Sequence, residues 1–282
     1  MRPHNVLDDM LALERMMSQK QLGEAVNATL WDVNKKSLAE SVTFDFGELA
    51  PTPEHEEFGF ELVKRGLFTP PFPITFYSGR ALGINHGAMI ETATHGDDGM
   101  YFLTVVCETR SELGSFITPM HGCAFYQEGD FETRPLRTTS MFKNAVSVRR
   151  STGEPYTDDQ KYAALGRALR FVIGATSMLM SKDVQKTTEH APVKLNAQRA
   201  RKGRSPINDV HTIKIVASEE HRYLEAGRLF GTHASPKMHW RRGHFRTLHR
   251  GEDNQKIIPV APSLVGANES ARGIVPKEYA VR

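Results

Sequence analysis

Sixty residues starting at Phe72 constrain the fold most. The runs "ITFYSG", "RALGINHGAMIETA", "MYFLTVVCET", "LGSFITPMHGCAFYQ" and "DFETRPL" are rich in β-branched and aromatic side chains and are separated by glycine-containing breaks. Such residues suit a pleated, half-buried surface, and "HGDDG" at 95–99 is a hairpin-type turn signal. The pattern predicts an antiparallel sheet of five strands over 72–132.

Helices are expected on either side of this block. Leu7, Met10, Leu11, Leu13, Met16, Met17, Leu22, Val26 and Leu30 recur near a helical period over 6–31, with Gly23 as a weak point. Thr52-Pro53 followed by acidic residues starts a short helix within 50–73. The strongest helix covers 157–182: Thr157 and Gln160 fit a capping box, and Tyr162, Leu165, Leu169, Val172, Thr176 and Leu179 form one apolar stripe facing a core. Residues 181–209 are polar and charged and read as a mobile or partly ordered connection. Strands follow at 210–218, 237–249 and 256–262, the last two as a C-terminal hairpin joined through "RGEDNQ". The expected class is α+β: an antiparallel sheet, N-terminal and central packing helices, and a C-terminal β-hairpin. The expected organisation is a body over 1–182, a basic polar connection over 183–209, and a β-rich segment over 210–282 packed on the body as one domain.

Composition narrows the function classes. An apolar fraction of 39% and a charged fraction of 24% belong to an ordinary globular protein. No run of eighteen apolar residues and no secretory leader is present, so the expected location is cytoplasmic, away from membranes. Two cysteines, Cys107 and Cys123, do not make a disulfide framework. Charge is uneven along the chain. Residues 1–60 hold eleven Asp/Glu against five Lys/Arg, a net of −6, whereas residues 194–250 hold thirteen Lys/Arg against four Asp/Glu, a net of +9. Either a basic face awaits a polyanion, or a basic segment docks on the chain's own acidic half.

The densest cationic stretch is "KMHWRRGHFRTLHRG" at 237–251. With "KLNAQRARKGR" at 194–204 it supplies candidate phosphate contacts at Lys194, Arg199, Arg201, Lys202, Arg204, Arg241, Arg242, His244, Arg246 and Arg250, with Trp240 for base stacking. If 239–248 is one regular strand, Trp240, Arg242, His244 and Arg246 share a cationic outward face, and Gly243 and Phe245 share the packing face. The leading expectation is therefore nucleic-acid binding, RNA favoured over DNA. A second reading is a metal-independent ribonuclease with His244 as acid/base and Arg242 and Arg246 stabilising the charge that develops on phosphorus. A third is a factor that binds or inhibits another protein.

Metal binding is not expected. HExxH and paired CxxC motifs are absent, and the five-residue spacing of His239, His244 and His249 aligns three ligands neither on a helix face nor on a strand face. No cofactor is expected either, because GxGxxG, GxxxxGK[ST] and GxSxG do not occur.

The last third also carries an ordered set of short motifs. Asn196, Arg199, Gly203 and Pro206 come first, then the strand His211 to Ile215, then Arg242 to Arg246, and finally Val260, Pro262, Val265 and Gly266. This order resembles a group of uncharacterised bacteriophage and prophage proteins. The resemblance implies a phage origin, a compact terminal domain and action inside an infected bacterial host. It implies no mechanism, and a host protein stands beside RNA or DNA as the possible partner.

Overall fold

A computed structural model describes residues 2–25, 28–81, 84–92, 100–111, 114–126, 138–139, 158–215, 239–252 and 254–265. The predicted turn at 95–99, the cap at Thr157, the fifth predicted strand, and the tail beyond Val265 lie outside them, as do the side chains of Tyr162 and Leu165.

Three helices open the chain: α1 (Pro3–Met16), α2 (Gln19–Ala25) and α3 (Ala28–Glu40). The segment read as one helix is thus interrupted between α1 and α2, at Met17 and Ser18. Strand β1 (Val42–Asp45), helix α4 (Pro53–Lys64) and strand β2 (Ile74–Ala81) follow. Then come β3 (Ile84–Thr92), β4 (Met100–Ser111), β5 (Gly114–Tyr126) and the short β6 (Thr138–Thr139). Helix α5 (Asp158–Leu179) leads to β7 (Val184–Glu189), α6 (Val193–Arg201) and β8 (Val210–Ile215). The C-terminal part holds β9 (His239–Arg241), β10 (His244–Leu248), β11 (Lys256–Val260) and β12 (Ser263–Val265).

Eight strands form one sheet in the order β6-β5-β4-β3-β2-β1-β8-β7. From β2 to β6 the pairing is antiparallel, as the sequence predicts. Beyond β2 the sheet becomes mixed, because β1 runs parallel to both β2 and β8. Parallel neighbours need a crossover, and α4 supplies it between β1 and β2. The class is α+β, with a wider sheet than expected. Register places Cys107 opposite Thr118 and Cys123 opposite Leu103, four residues apart along β4. At about 3.4 Å of rise per residue the two cysteines are too far apart to bridge.

Both faces of the sheet are covered. On one face α4 and α5 pack over Phe44, Tyr77, Ala88, Ile90 and Ile213. The stripe residues Leu169, Val172, Thr176 and Leu179 are buried there. The Thr176 hydroxyl donates to the Val172 carbonyl at 2.8 Å, which leaves its oxygen to accept from Tyr77 Oη–H at 2.6 Å. On the other face Val6, Leu7 and Met10 of α1 and Trp31 and Leu38 of α3 pack over Phe76 and Met89. Gly87 completes that face, since a Cβ there would lie 2.3 Å from Phe76 Cζ.

Candidate functional site

The basic stretch 194–204 holds most of helix α6, where composition suggested a mobile or partly ordered connection. No residue of α6 is buried, so an apolar stripe does not hold this helix. Polar contacts do. One Arg199 guanidinium nitrogen donates to both Asp8 carboxylate oxygens at 2.9 and 3.0 Å, and its Nε donates to the Ser205 carbonyl at 2.7 Å. Asn196 exchanges two hydrogen bonds with the Ile207 backbone, each 2.8 Å. Arg15 reaches from α1 to the carbonyl of Gly203, whose φ of +60° lets the chain reverse after α6. Part of the basic segment therefore answers the acidic N-terminal helix. Arg199 is a structural residue, while Lys194, Arg201, Lys202 and Arg204 are exposed. Arg199→Ala leaves Asp8 without its charged partner, and we expect a loss of about 2 kcal/mol in urea unfolding.

The C-terminal motif is built differently from the single strand expected. The chain leaves β9 at Arg242 and Gly243 and re-enters as β10, and the two strands have different partners. β9 pairs with β12, placing Trp240 opposite Leu264, and β10 pairs with β11. The break resets the alternation, so Trp240 and Phe245 both turn towards α4. Trp240 is only 2% exposed, not on the outward face. Its ring stands at 75° to that of His55, with centroids 4.4 Å apart. Gly243 passes so close to α4 that a Cβ would lie 2.4 Å from Phe58 Cδ2. Phe245 then stacks near Phe58 at 5.5 Å, under the Arg65 guanidinium at 4.3 Å.

Sequence reasoning did not find His55, which sits in the first turn of α4. Its Nδ1 lies 2.8 Å from Thr52 Oγ1 and accepts the Thr52 backbone N–H at 3.4 Å, so the ring proton belongs on Nε2. Among the described residues, His55 Nε2 and Trp240 Nε1 are both buried without a hydrogen-bond partner. Burial pulls the His55 pKa down from 6.5 to about 4, so the ring is neutral. The folded value lies below the unfolded one. This contribution is therefore complete above pH 6.5 and is lost as pH falls towards about 4, amounting to about 3 kcal/mol. Urea unfolding over that range should show this loss in the wild type, and His55→Asn should remove its share of the slope.

Arg241, Arg242, His244, Arg246 and Arg250 are exposed. Arg242 Nε lies 3.5 Å from Glu57, and His249 lies 3.4 Å from Glu252. His239 belongs to β9, His244 to β10 and His249 to the turn after it, so the three histidines sit on separate elements. Among the described residues no group of His, Cys, Asp or Glu could hold a metal ion. The cleft lined by Arg2, His4, Leu7, Thr43 and Asn208 has room for about one water molecule, about 10 Å³, and lies among α1, β1 and β8. Among the described residues no helix is long and apolar enough to cross a membrane.

Residues 48–267 match the AcrVA2-like family, described as anti-CRISPR type V subtype A2. The chain belongs to this family. The matched span starts just before α4 and runs through β12, so it contains the α4 platform and everything docked on it. No curated protein and no solved structure matches the chain. Membership overturns the leading expectation from composition. An anti-CRISPR family acts against a host defence protein, so nucleic-acid binding, with its preference for RNA, is replaced by the host-protein reading. Geometry gives the physical reason the basic motif misled: Trp240, the ring assigned to base stacking, is sealed against His55. The phage origin implied by the C-terminal motifs agrees with the family.

Proposed function

We propose that this protein is a phage-encoded inhibitor that acts in the cytoplasm of an infected bacterium by binding a protein component of the host's type V CRISPR system. The family match over 48–267 carries this reading. The exposed cations and aliphatic side chains of the C-terminal strands are compatible with binding a protein surface. The β-rich C-terminal segment acts together with the body in this reading, because β8 lies within the main sheet and Phe245 packs against the main core.

The test is biological. A strain whose type V system targets a phage should regain plaque formation when it expresses the wild-type chain. Undiminished restriction at verified expression would refute the proposal.

A further inference from the structure

The β10–β11 ribbon presents one face that is largely exposed in the described structure. Phe245 is on the inner face, held by Phe58 and Arg65. Alternation therefore places His244, Arg246 and Leu248 on the outer face, and the register sets Val260, Ile258 and Lys256 directly beside them. His244, Arg246 and Lys256 are exposed, and Ile258 is 40% exposed. Leu248 and Val260 are half-buried. The face is a checkerboard of three aliphatic side chains with an imidazole and two cations.

Among the described residues its charge is uncompensated. The neighbouring acids Glu57 and Glu252 are committed to Arg242 and His249. Arg246 and Lys256 make no ion pair among the described residues, and neither do the adjacent Arg241 and Arg250. Apart from the His244 imidazole, the exposed side chains on this face include no aromatic ring, since Trp240 is buried and Phe245 points inward. A single-stranded nucleic acid wants rings to stack on, whereas an aliphatic patch among cations suits a protein surface of opposite charge.

We propose that the outer face of β10–β11 is the docking surface for an acidic, aliphatic patch on the host type V CRISPR protein. This rests on the inhibitor reading above. Ile258 and Val260 supply the dry centre, and Arg246 and Lys256 steer and orient the encounter. Phe245 anchors the inner face of the ribbon before the partner arrives, which limits the ordering cost of binding.

The experiment measures binding of the intact chain to a purified type V effector protein across a salt series, with the effector free of RNA and loaded with guide RNA. The Arg246→Glu/Lys256→Glu double variant is expected to keep the wild-type unfolding midpoint, because both side chains are exposed. It should bind roughly tenfold or more weakly at low salt and with a shallower salt dependence. Ile258→Ser should weaken binding at all salt concentrations. Equal binding by wild type and the double variant would overturn the surface while leaving the inhibitor reading in place. Binding only to the guide-loaded effector, abolished by nuclease, would overturn it in favour of an RNA contact. A wild-type chain that neither binds the effector nor relieves restriction would remove the inhibitor reading, and this proposal with it.

Discussion

Trp240→Ala is expected to lower the unfolding free energy by about 3–5 kcal/mol, the range for removing a large aromatic side chain from a packed interior. The indole is 2% exposed and joins three parts of the molecule. Its ring meets His55 of α4, and its backbone pairs with Leu264 in β12. The Leu264 N–H in turn donates to the buried carboxylate of Asp183 at 2.7 Å, just beyond α5. Truncation opens a cavity at that junction and admits water to His55. The His55 pKa should then rise towards its ordinary value, and the acid sensitivity described above should shrink with it. Arg246→Ala, on the open face of the ribbon, should change stability by less than about 0.5 kcal/mol. Urea unfolding of both variants at neutral and mildly acidic pH tests the pair. A Trp240→Ala loss as small as that of Arg246→Ala would contradict the packing of β9 on α4.

These contrasts also mark where the sequence could be read and where it could not. The stripe Leu169, Val172, Thr176 and Leu179 repeats often enough for its period to identify α5, and tertiary packing then buries it. The antiparallel block is legible for the same reason, since β2 to β5 are long and strongly patterned. β1 has four residues, too few to show a period, so the parallel side of the sheet is invisible from the sequence. α6 buries nothing and is held by Arg199 and Asn196 through contacts with the distant Asp8 carboxylate and with looped backbone, which no local pattern encodes.

The C-terminal motif failed in a more instructive way. Strand alternation reads faces correctly only while the strand is continuous, and the break at Arg242 and Gly243 reversed the assignment of Trp240. Composition then compounded the error. Arginines interleaved with aromatic rings suit nucleic acid only if the rings are available, and here α4 takes both. The charge asymmetry held two readings open. The Arg199–Asp8 pair shows that the chain uses part of its basic excess internally, and the cations of β10 and β11 remain for a partner.

Helices α4 and α5 cross in close contact, and Gly59→Val should be as damaging as the loss of Trp240. A Cβ on Gly59 would lie 2.5 Å from Ile173 Cγ2 and 2.7 Å from the Ile173 carbonyl oxygen. The second contact is backbone, so a rotamer change cannot relieve it. Opposite it, a Cβ on Gly174 would lie 2.7 Å from Pro51 Cβ. Gly59→Val forces the helices apart, and overpacking of this kind costs about 3 kcal/mol or more when the backbone must move. The damage should reach the C-terminal strands, because α4 carries His55, Phe58 and Arg65, the platform for Trp240 and Phe245. The chain has two tryptophans, so in a Trp31→Phe background Trp240 alone reports. Gly59→Val in that background should shift its emission to the red as the indole gains water, together with a lower unfolding midpoint. Gly166→Ala provides the control: it lies in the partner helix α5, where an added Cβ meets nothing within 4 Å among the described residues, and it should stabilise the chain by about 0.5–1 kcal/mol with the emission unchanged. An unshifted Gly59→Val spectrum would mean that α4 moves without the strands docked on it, and that the platform does not set the position of the ribbon.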